Sequence, residues 1–209
     1  MEDIYEYPLK QHLGERVVPV VVDGDSVNRG QLVAFQRENT LGANLYSSVK
    51  GVVTKVTEQS IFIKAVGEQT ADYEPLKGSE PLELIREAGL VGLGGAGFPT
   101  YAKLSKPFEH GGTVIINAAE CEPILSHNIE RIRQKPEQLL RGLRIAMDVV
   151  HATKGVIAIK EKHTEAVKAL REANKDPDIS LTLLEDMYPM GEERAIIREV
   201  LGKLLKVTD

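Results

Sequence analysis

The apolar pattern of this chain changes period once, across the polar stretch of residues 67–80, and the two sides of that change require different architectures. Before it, residues 17–66 carry short β-branched runs, Val17–Val22, Gln31–Phe35 and Gly51–Val56, separated by Gly, Asp and Asn turn residues. That is the signature of a small all-β unit. After it, helical and strand patterns alternate: a helix over 82–88, a buried strand over 113–117, an amphipathic helix over 136–150, a strand over 155–160, a helix over 164–173, a strand over 180–184 and a final helix over 192–205. Strands alternating with helices predict a parallel sheet, whose ligands sit beyond the carboxyl ends of its strands. The fold class is therefore α/β, or α+β when both parts are counted.

Within the β half, the segments 23–32 and 44–53 each set a glycine just before a return strand, which predicts two pseudo-equivalent halves. This resembles the barrel-sandwich hybrid of biotinyl and lipoyl carrier domains. In such carriers a lysine at the hairpin tip bears the cofactor, but residues 36–43 here contain none. Amide attachment needs an amine and Arg37 cannot substitute, so the β unit reads as a structural or docking module.

Composition narrows the function classes. In 209 residues, 26 basic and 31 acidic side chains give a net charge of -5, which offers no general attraction to nucleic acid or anionic lipid. The absence of Trp leaves few platforms for stacking bases. Apolar runs fall far short of the roughly 20 residues that span a bilayer. The acidic start, Met1 to Glu6, lacks an apolar signal core, so a cytoplasmic location is expected. The single cysteine, Cys121, excludes an intrachain disulfide, a zinc ribbon or an iron–sulfur cluster ligated by this chain alone. The five histidines show no metal-ligand spacing and read as surface or turn residues, and Lys160, Lys162, His163 and Lys168 read as a solvated helix start.

Three motifs carry the chemistry. The densest glycine run is Gly92-Leu93-Gly94-Gly95-Ala96-Gly97-Phe98-Pro99-Thr100, with Lys103 shortly after. Glycines let backbone amides approach an anion closely, yet no strand leads into this run and it matches neither a Walker A nor a Rossmann fingerprint. On spacing alone it reads equally as a ligand loop or a tight structural loop. The second motif, Asn117-Ala118-Ala119-Glu120-Cys121-Glu122-Pro123, follows a strand, where an amide and two acids can bond ribose hydroxyls or a heteroaromatic ring, or simply lead into a solvated turn. Its Cys121 reads as a small packing residue. The third, Tyr188-Pro189-Met190-Gly191-Glu192-Glu193, opens the final helix, where the two acids also suit the macrodipole.

Taken in order, these motifs resemble the flavin- and NADH-binding module of the 51 kDa subunit of respiratory complex I, and more closely its relative RnfC, the peripheral subunit of the Rnf electron-transport complex. The glycine run differs from the complex I loop only at Leu93, which stands in place of an arginine, and Ala119 stands in place of an aspartate. The resemblance implies a barrel-sandwich hybrid at 1–70, a linker at 71–80 and an FMN/NADH-binding α/β domain at 81–209. It further implies that Gly92, Gly94, Gly95, Ala96 and Gly97, with Asn117 and Glu120, hold FMN. Lys103 would lie near a phosphate, Phe98 near NADH and Glu122 at its ribose, with Tyr188, Gly191, Glu192 and Glu193 closing the pocket. The implied reaction is hydride transfer from NADH to FMN, followed by single-electron release; no side chain of this chain acts as a catalytic acid or base, and no metal is held.

RnfC-like proteins continue into a region of cysteine-ligated iron–sulfur clusters, so the chain resembles their N-terminal portion and the clusters belong to a continuation or to partners. The implied partners are NADH and other subunits of an electron-transport complex, with peripheral attachment to the cytoplasmic membrane face through them and neither nucleic acid nor a membrane span. Two alternatives stand beside this: an RnfC-like protein feeding a soluble amino-acid reductase such as proline reductase in anaerobic bacteria, and a noncatalytic docking or assembly module without cofactor.

Overall fold

The computed structural model describes residues 3–93, 95–121 and 124–204. The chain forms two compact units, Met1–Lys106 and Pro107–Asp209.

In the first unit two antiparallel sheets face each other. One contains β1 (Ile4–Pro8), β7 (Ser60–Ala65), β6 (Gly51–Val56) and β3 (Ser26–Val27) in that order; the other contains β2 (Val18–Pro19), β4 (Leu32–Phe35) and β5 (Leu45–Tyr46). Their apolar faces bury Leu9, Val17, Val33, Val53, Ile61 and Ile63. The expected pair of halves is held together by reciprocal backbone bonds. Gly24 N donates to Val53 O and Val53 N to Asp25 O, both at 2.8 Å, while Gly30 N donates to Ser47 O at 2.8 Å and Ser47 N to Gln31 O at 2.9 Å. Gly51 is required where β6 crosses β7, because a Cβ there would lie 2.3 Å from the carbonyl oxygen of Lys64. β1 lies outside the segments expected from sequence, and its register, Ile4 with Lys64 through Pro8 with Ser60, extends the larger sheet.

The compact units divide after Lys106. Segment 70–78 is tied back to the β unit and to the following helix: Glu74 N donates to Arg29 O at 2.9 Å, and the Glu87 carboxylate accepts from Lys77 N at 2.8 Å and Gly78 N at 2.7 Å. Helix α1 (Pro81–Glu87) opens on a capping box between Glu80 and Glu83 and ends at Gly89, whose φ is +61°. Helix α2 (Thr100–Leu104) follows the glycine loop.

The second unit is a parallel sheet in the order β10 (Ile179–Leu184), β9 (Lys154–Lys160), β8 (Thr113–Ala118). Six of the seven residues of β9 are buried, as a central parallel strand requires. Ile157 and Ile159 belong to a core shared with α3 (His127–Gln134), α4 (Pro136–Val149) and α5 (Thr164–Ala173), while Ala158 packs on the opposite face with Ile196 of α6 (Glu193–Leu201). β8, expected as a buried strand, lies at the sheet edge, and most of its residues are half-buried. The last helix is shorter than the 192–205 expected because Gly202, at φ +64°, caps it after Leu201. Helix α4 lies close on β9 at Gly155, where a Cβ would meet Met147 Sδ at 2.6 Å and Leu143 Cδ2 at 3.1 Å. Leu143 is fully buried, so Leu143→Ala is expected to lower the unfolding free energy by about 2–5 kcal/mol in urea titration, without changing the sheet order.

Candidate functional site

The glycine loop belongs to the first unit. Its neck is closed by an antiparallel bridge between Val91 and Pro99, with Gly92 N donating to Phe98 O at 3.1 Å and Thr100 N to Leu90 O at 2.9 Å. Gly92, Gly95 and Ala96 are exposed, and a Cβ on Gly95 would meet no atom within 4 Å. Gly94 lies outside the described residues. Gly97 is buried at φ +66°, where its carbonyl accepts from Leu13 N at 3.1 Å and a Cβ would come within 2.8 Å of Gln11 O. Leu93 is 93% exposed and adds no charge, whereas the Lys103 ammonium lies 5.8 Å from the centroid of the half-buried Phe98 ring.

The β unit seats this loop through the hairpin whose tip lacks a carrier lysine. Gln36 Nε2 donates to the Tyr101 hydroxyl at 2.8 Å, Tyr46 OH donates to the carbonyl of Glu87, and a Cβ on Gly89 would lie 2.2 Å from Asn44 O. His12, expected at the surface, is 6% exposed beneath the loop, and its Nε2 has no hydrogen-bond partner among the described residues.

In the second unit the structure brings together the other two motifs. Asn117 Nδ2 donates to Gly191 O at 2.9 Å, while its Oδ1 accepts from Ala119 N at 3.1 Å. Both ends of the Asn117 amide therefore hold the strand end and the turn before α6 in place. Cys121 Sγ donates to Ala119 O at 3.1 Å and packs against Gly191, where a Cβ would stand 1.9 Å from the sulfur. The packing reading of Cys121 is the one the contacts support. Glu192 caps α6 by accepting from Ala195 N at 2.9 Å, Glu193 begins that helix exposed, and Tyr188 is 85% exposed. Glu122 lies outside the described residues. Gly191→Ala must displace Cys121 or the Ala119 carbonyl and is expected to cost about 1–3 kcal/mol, read as a lowered denaturation midpoint. Pairing it with Cys121→Ala should recover part of that loss, since the sulfur is the closest obstacle.

Two cavities flank Glu120, which is half-buried and accepts from Asn128 Nδ2 at 3.2 Å. The larger, about 700 Å³, is lined by Asn117, Glu120, Arg131, Lys135, Gln138 and Gly191, among others. Its volume lies in the range of roughly 300–1,000 Å³ usual for small-molecule sites. The smaller, about 340 Å³, lies at the carboxyl ends of β9 and β10 and includes Lys160, Lys162, His163, Asp186 and Tyr188. Here the expected solvated cluster is corrected. Lys160 is 5% exposed, with its ammonium 3.1 Å from Asp186 Oδ1, and Lys162 reaches the same oxygen at 2.8 Å. Its place at the end of the most buried strand is the signal that separates it from a surface lysine.

Burial pushes the His163 imidazole below its ordinary value of 6.5, reinforced by Lys162 and Lys160 and opposed by Asp186 and Glu120, while Nε2 lies buried without a partner among the described residues. A depressed pKa means the unfolded chain binds the proton first. Stability is therefore complete above about pH 6.5 and declines as pH falls through the unfolded pKa toward the folded one. Urea midpoints measured between about pH 7 and about pH 5 should fall, and His163→Gln should flatten that part of the curve. An unchanged slope in the variant would assign it to another group.

The fold and these sites define an α/β nucleotide-binding type of domain joined to a β barrel-sandwich module. Residues 85–209 match the family described as the Nuo51 FMN-binding domain, and residues 1–70 match the RnfC barrel sandwich hybrid domain. The chain belongs to the family of the Nuo51 FMN-binding domain, which covers more than half of it. The C subunit of the proton-translocating ferredoxin:NAD(+) oxidoreductase complex of Clostridium ljungdahlii is 31% identical over 94% of this chain and 47% of that protein. The corresponding subunit of the Na(+)-translocating complex of Acetobacterium woodii is also 31% identical, over 94% of this chain and 48% of its own length. Its counterpart in the ion-translocating oxidoreductase complex of Pseudomonas aeruginosa is 33% identical over 95% of this chain and 28% of that protein. The chain thus spans about half the length, or less, of these relatives. Among solved structures, an NAD+-reducing [NiFe]-hydrogenase in the H2-reduced state is similar over 59% of this chain and 24% of its own, with a TM-score of 0.54 and 27% identity. Among the described residues no helix is long and apolar enough to cross a membrane.

Proposed function

We propose that this chain is the FMN-binding portion of an RnfC-type electron-transfer subunit that accepts hydride from NADH and passes electrons to iron–sulfur centres outside it. The observation that carries this reading is the exposed glycine loop, held open by its own neck and seated on the β hairpin, in a chain of the Nuo51 FMN-binding family. The residues fit a flavin. Gly95 leaves the space above the loop backbone clear, and Lys103, 5.8 Å from the Phe98 ring centroid, offers a cation in the same unit.

In this assignment Gly92, Gly94, Gly95, Ala96 and Gly97 present backbone to the flavin. Lys103 and Phe98, already stacked on each other, offer a cation and a ring for the nucleotides. Asn117 and Gly191 hold the strand end rigid, Glu120 and Glu122 bond hydroxyl groups, and Tyr188, Glu192 and Glu193 line the turn at the start of α6. When bound, the flavin supplies acceptance of a hydride and release of single electrons; the chain supplies position and electrostatics. The module boundaries proposed with it are 1–70 for the barrel sandwich and 81–209 for the flavin domain, joined by 71–80.

The similar proteins from Clostridium, Acetobacterium and Pseudomonas are named as subunits of ion-translocating complexes, which supports a membrane complex over a soluble amino-acid reductase as the partner. Peripheral attachment to the cytoplasmic face through other subunits follows from that choice.

Flavin fluorescence quenching and thermal shift on the chain and on Gly95→Glu test the assignment. Because the new Cβ meets nothing, the variant should fold normally while its carboxylate obstructs the loop, and FMN affinity should drop by about tenfold or more. Equal binding by both proteins would remove the flavin from the loop. Absence of any response to FMN or NADH in either protein would favour the docking-module reading.

A further inference from the structure

The larger cavity of the second unit contains two cations that none of the three motifs includes. Arg131 lies in the last turn of α3 and Lys135 forms its C-cap, with Lys135 N donating to Arg131 O at 2.9 Å. Residues 128, 131, 132 and 135 share one helical face at i, i+3, i+4 and i+7 spacing, and all four line the cavity. The helix sorts its charges around that face. Its carboxylate, Glu130, is turned to Arg133 at 2.5 and 2.8 Å and to Gln134 at 2.5 Å, and these bonds hold the carboxyl down at about 2. Arg131 and Lys135 have no ion pair among the described residues. The one described carboxylate in the cavity, Glu120, already accepts from Asn128. Two cations against one carboxylate leave the wall net positive, while Ile116, Ala118, Ile132 and Leu139 give the same cavity apolar lining.

We propose that this cavity is a phosphate-group subsite, in which Arg131 and Lys135 grip the phosphate of a nucleotide whose apolar part rests against the Ile116 side. A guanidinium and an ammonium one turn apart match the oxygens of a phosphate monoester, and charge-assisted bonds of this kind are roughly twice as strong as neutral ones. The subsite deepens the flavin reading and rests on it only in taking FMN as the natural ligand; the nicotinamide nucleotide carries the same group.

The test compares ligands that differ only by the phosphate, FMN against riboflavin and nicotinamide mononucleotide against nicotinamide riboside, on the chain, on Arg131→Gln/Lys135→Gln and on the charge-preserving Arg131→Lys/Lys135→Arg. Inorganic phosphate, followed through the side-chain NMR signals of Arg131 and Asn117, is a probe that needs no flavin. Both cations are exposed, so the variants should keep the wild-type circular dichroism and thermal midpoint. The expected result is a phosphorylated ligand bound about tenfold or more tightly than its dephosphorylated partner, a preference abolished in the glutamine variant and largely kept in the charge-preserving one. Which pair shows it identifies the source of the phosphate. Shifts with inorganic phosphate that vanish in the glutamine variant, without binding of any flavin, would uphold the subsite while sinking the flavin reading. FMN and riboflavin bound equally by wild type and variant would overturn the subsite and leave the flavin reading standing. Loss of phosphate shifts and of any phosphate preference in the wild type would overturn it outright.

Discussion

The parallel pairing of β9 with both β8 and β10 is the constraint on which the second unit depends. A strand buried on both faces leaves little room for polar side chains along its length, so polar groups gather toward the strand ends. Lys160 is the last residue of β9, Asn117 and Glu120 mark the end of β8, and Asp186 follows β10. Because the three strands run in the same direction, these groups fall at one end of the sheet, and both cavities of the unit form there. The clasp from Asn117 to Gly191 then joins two segments 74 residues apart without adding another strand. It confines the turn before α6, and Gly191 is required because the sulfur of Cys121 occupies the space a side chain would need.

The first unit meets a different demand. A loop of glycines has few side chains to anchor it, so its conformation must be imposed from outside. The neck bonds between Gly92 and Phe98 and between Leu90 and Thr100 close its ends, while Leu13 and Gln11 fix Gly97 from below. The hairpin around residues 36–46 supplies the rest by holding Glu87, Gly89 and Tyr101. In a carrier domain that hairpin tip must reach solvent. Here the tip residues Arg37, Glu38 and Asn39 are exposed and include no lysine, while the flanking Gln36, Asn44 and Tyr46 hold the following segment, which gives the β unit a scaffolding role.

How much of this was legible in the sequence follows from which interactions are local. The parallel α/β layer, the β unit and its two halves are written in periodicity and glycine placement, and the strand-end motifs stand where a parallel sheet presents polar groups. β1 was not legible because its partner, β7, is more than 50 residues away and its own pattern, Ile4 to Pro8, mixes charged and apolar residues. α3 was hidden by its polarity, with a single buried residue, Ile132, in eight. The burial of His12 and Lys160 depends on packing from distant segments, so composition assigned both to the surface. Glu192 shows the converse: its capping role follows from local position, and the same residue remains in the flavin assignment.

Charge and backbone are divided between the two units. The glycine loop offers amides and open space, but its second residue is an exposed leucine, and Lys103, shortly after it, sits over Phe98. The second unit offers little free backbone at its strand ends, since Ala119 and Gly191 are already bonded, yet it holds the cations. Lys160 and Lys162 are neutralised in part by Asp186, and Glu130 is removed from the Arg131 face by Arg133 and Gln134. Arg131 and Lys135, on the cavity wall, have no ion pair among the described residues. A phosphate needs only the charge, whereas a planar ring needs the flat, unobstructed backbone that glycines provide.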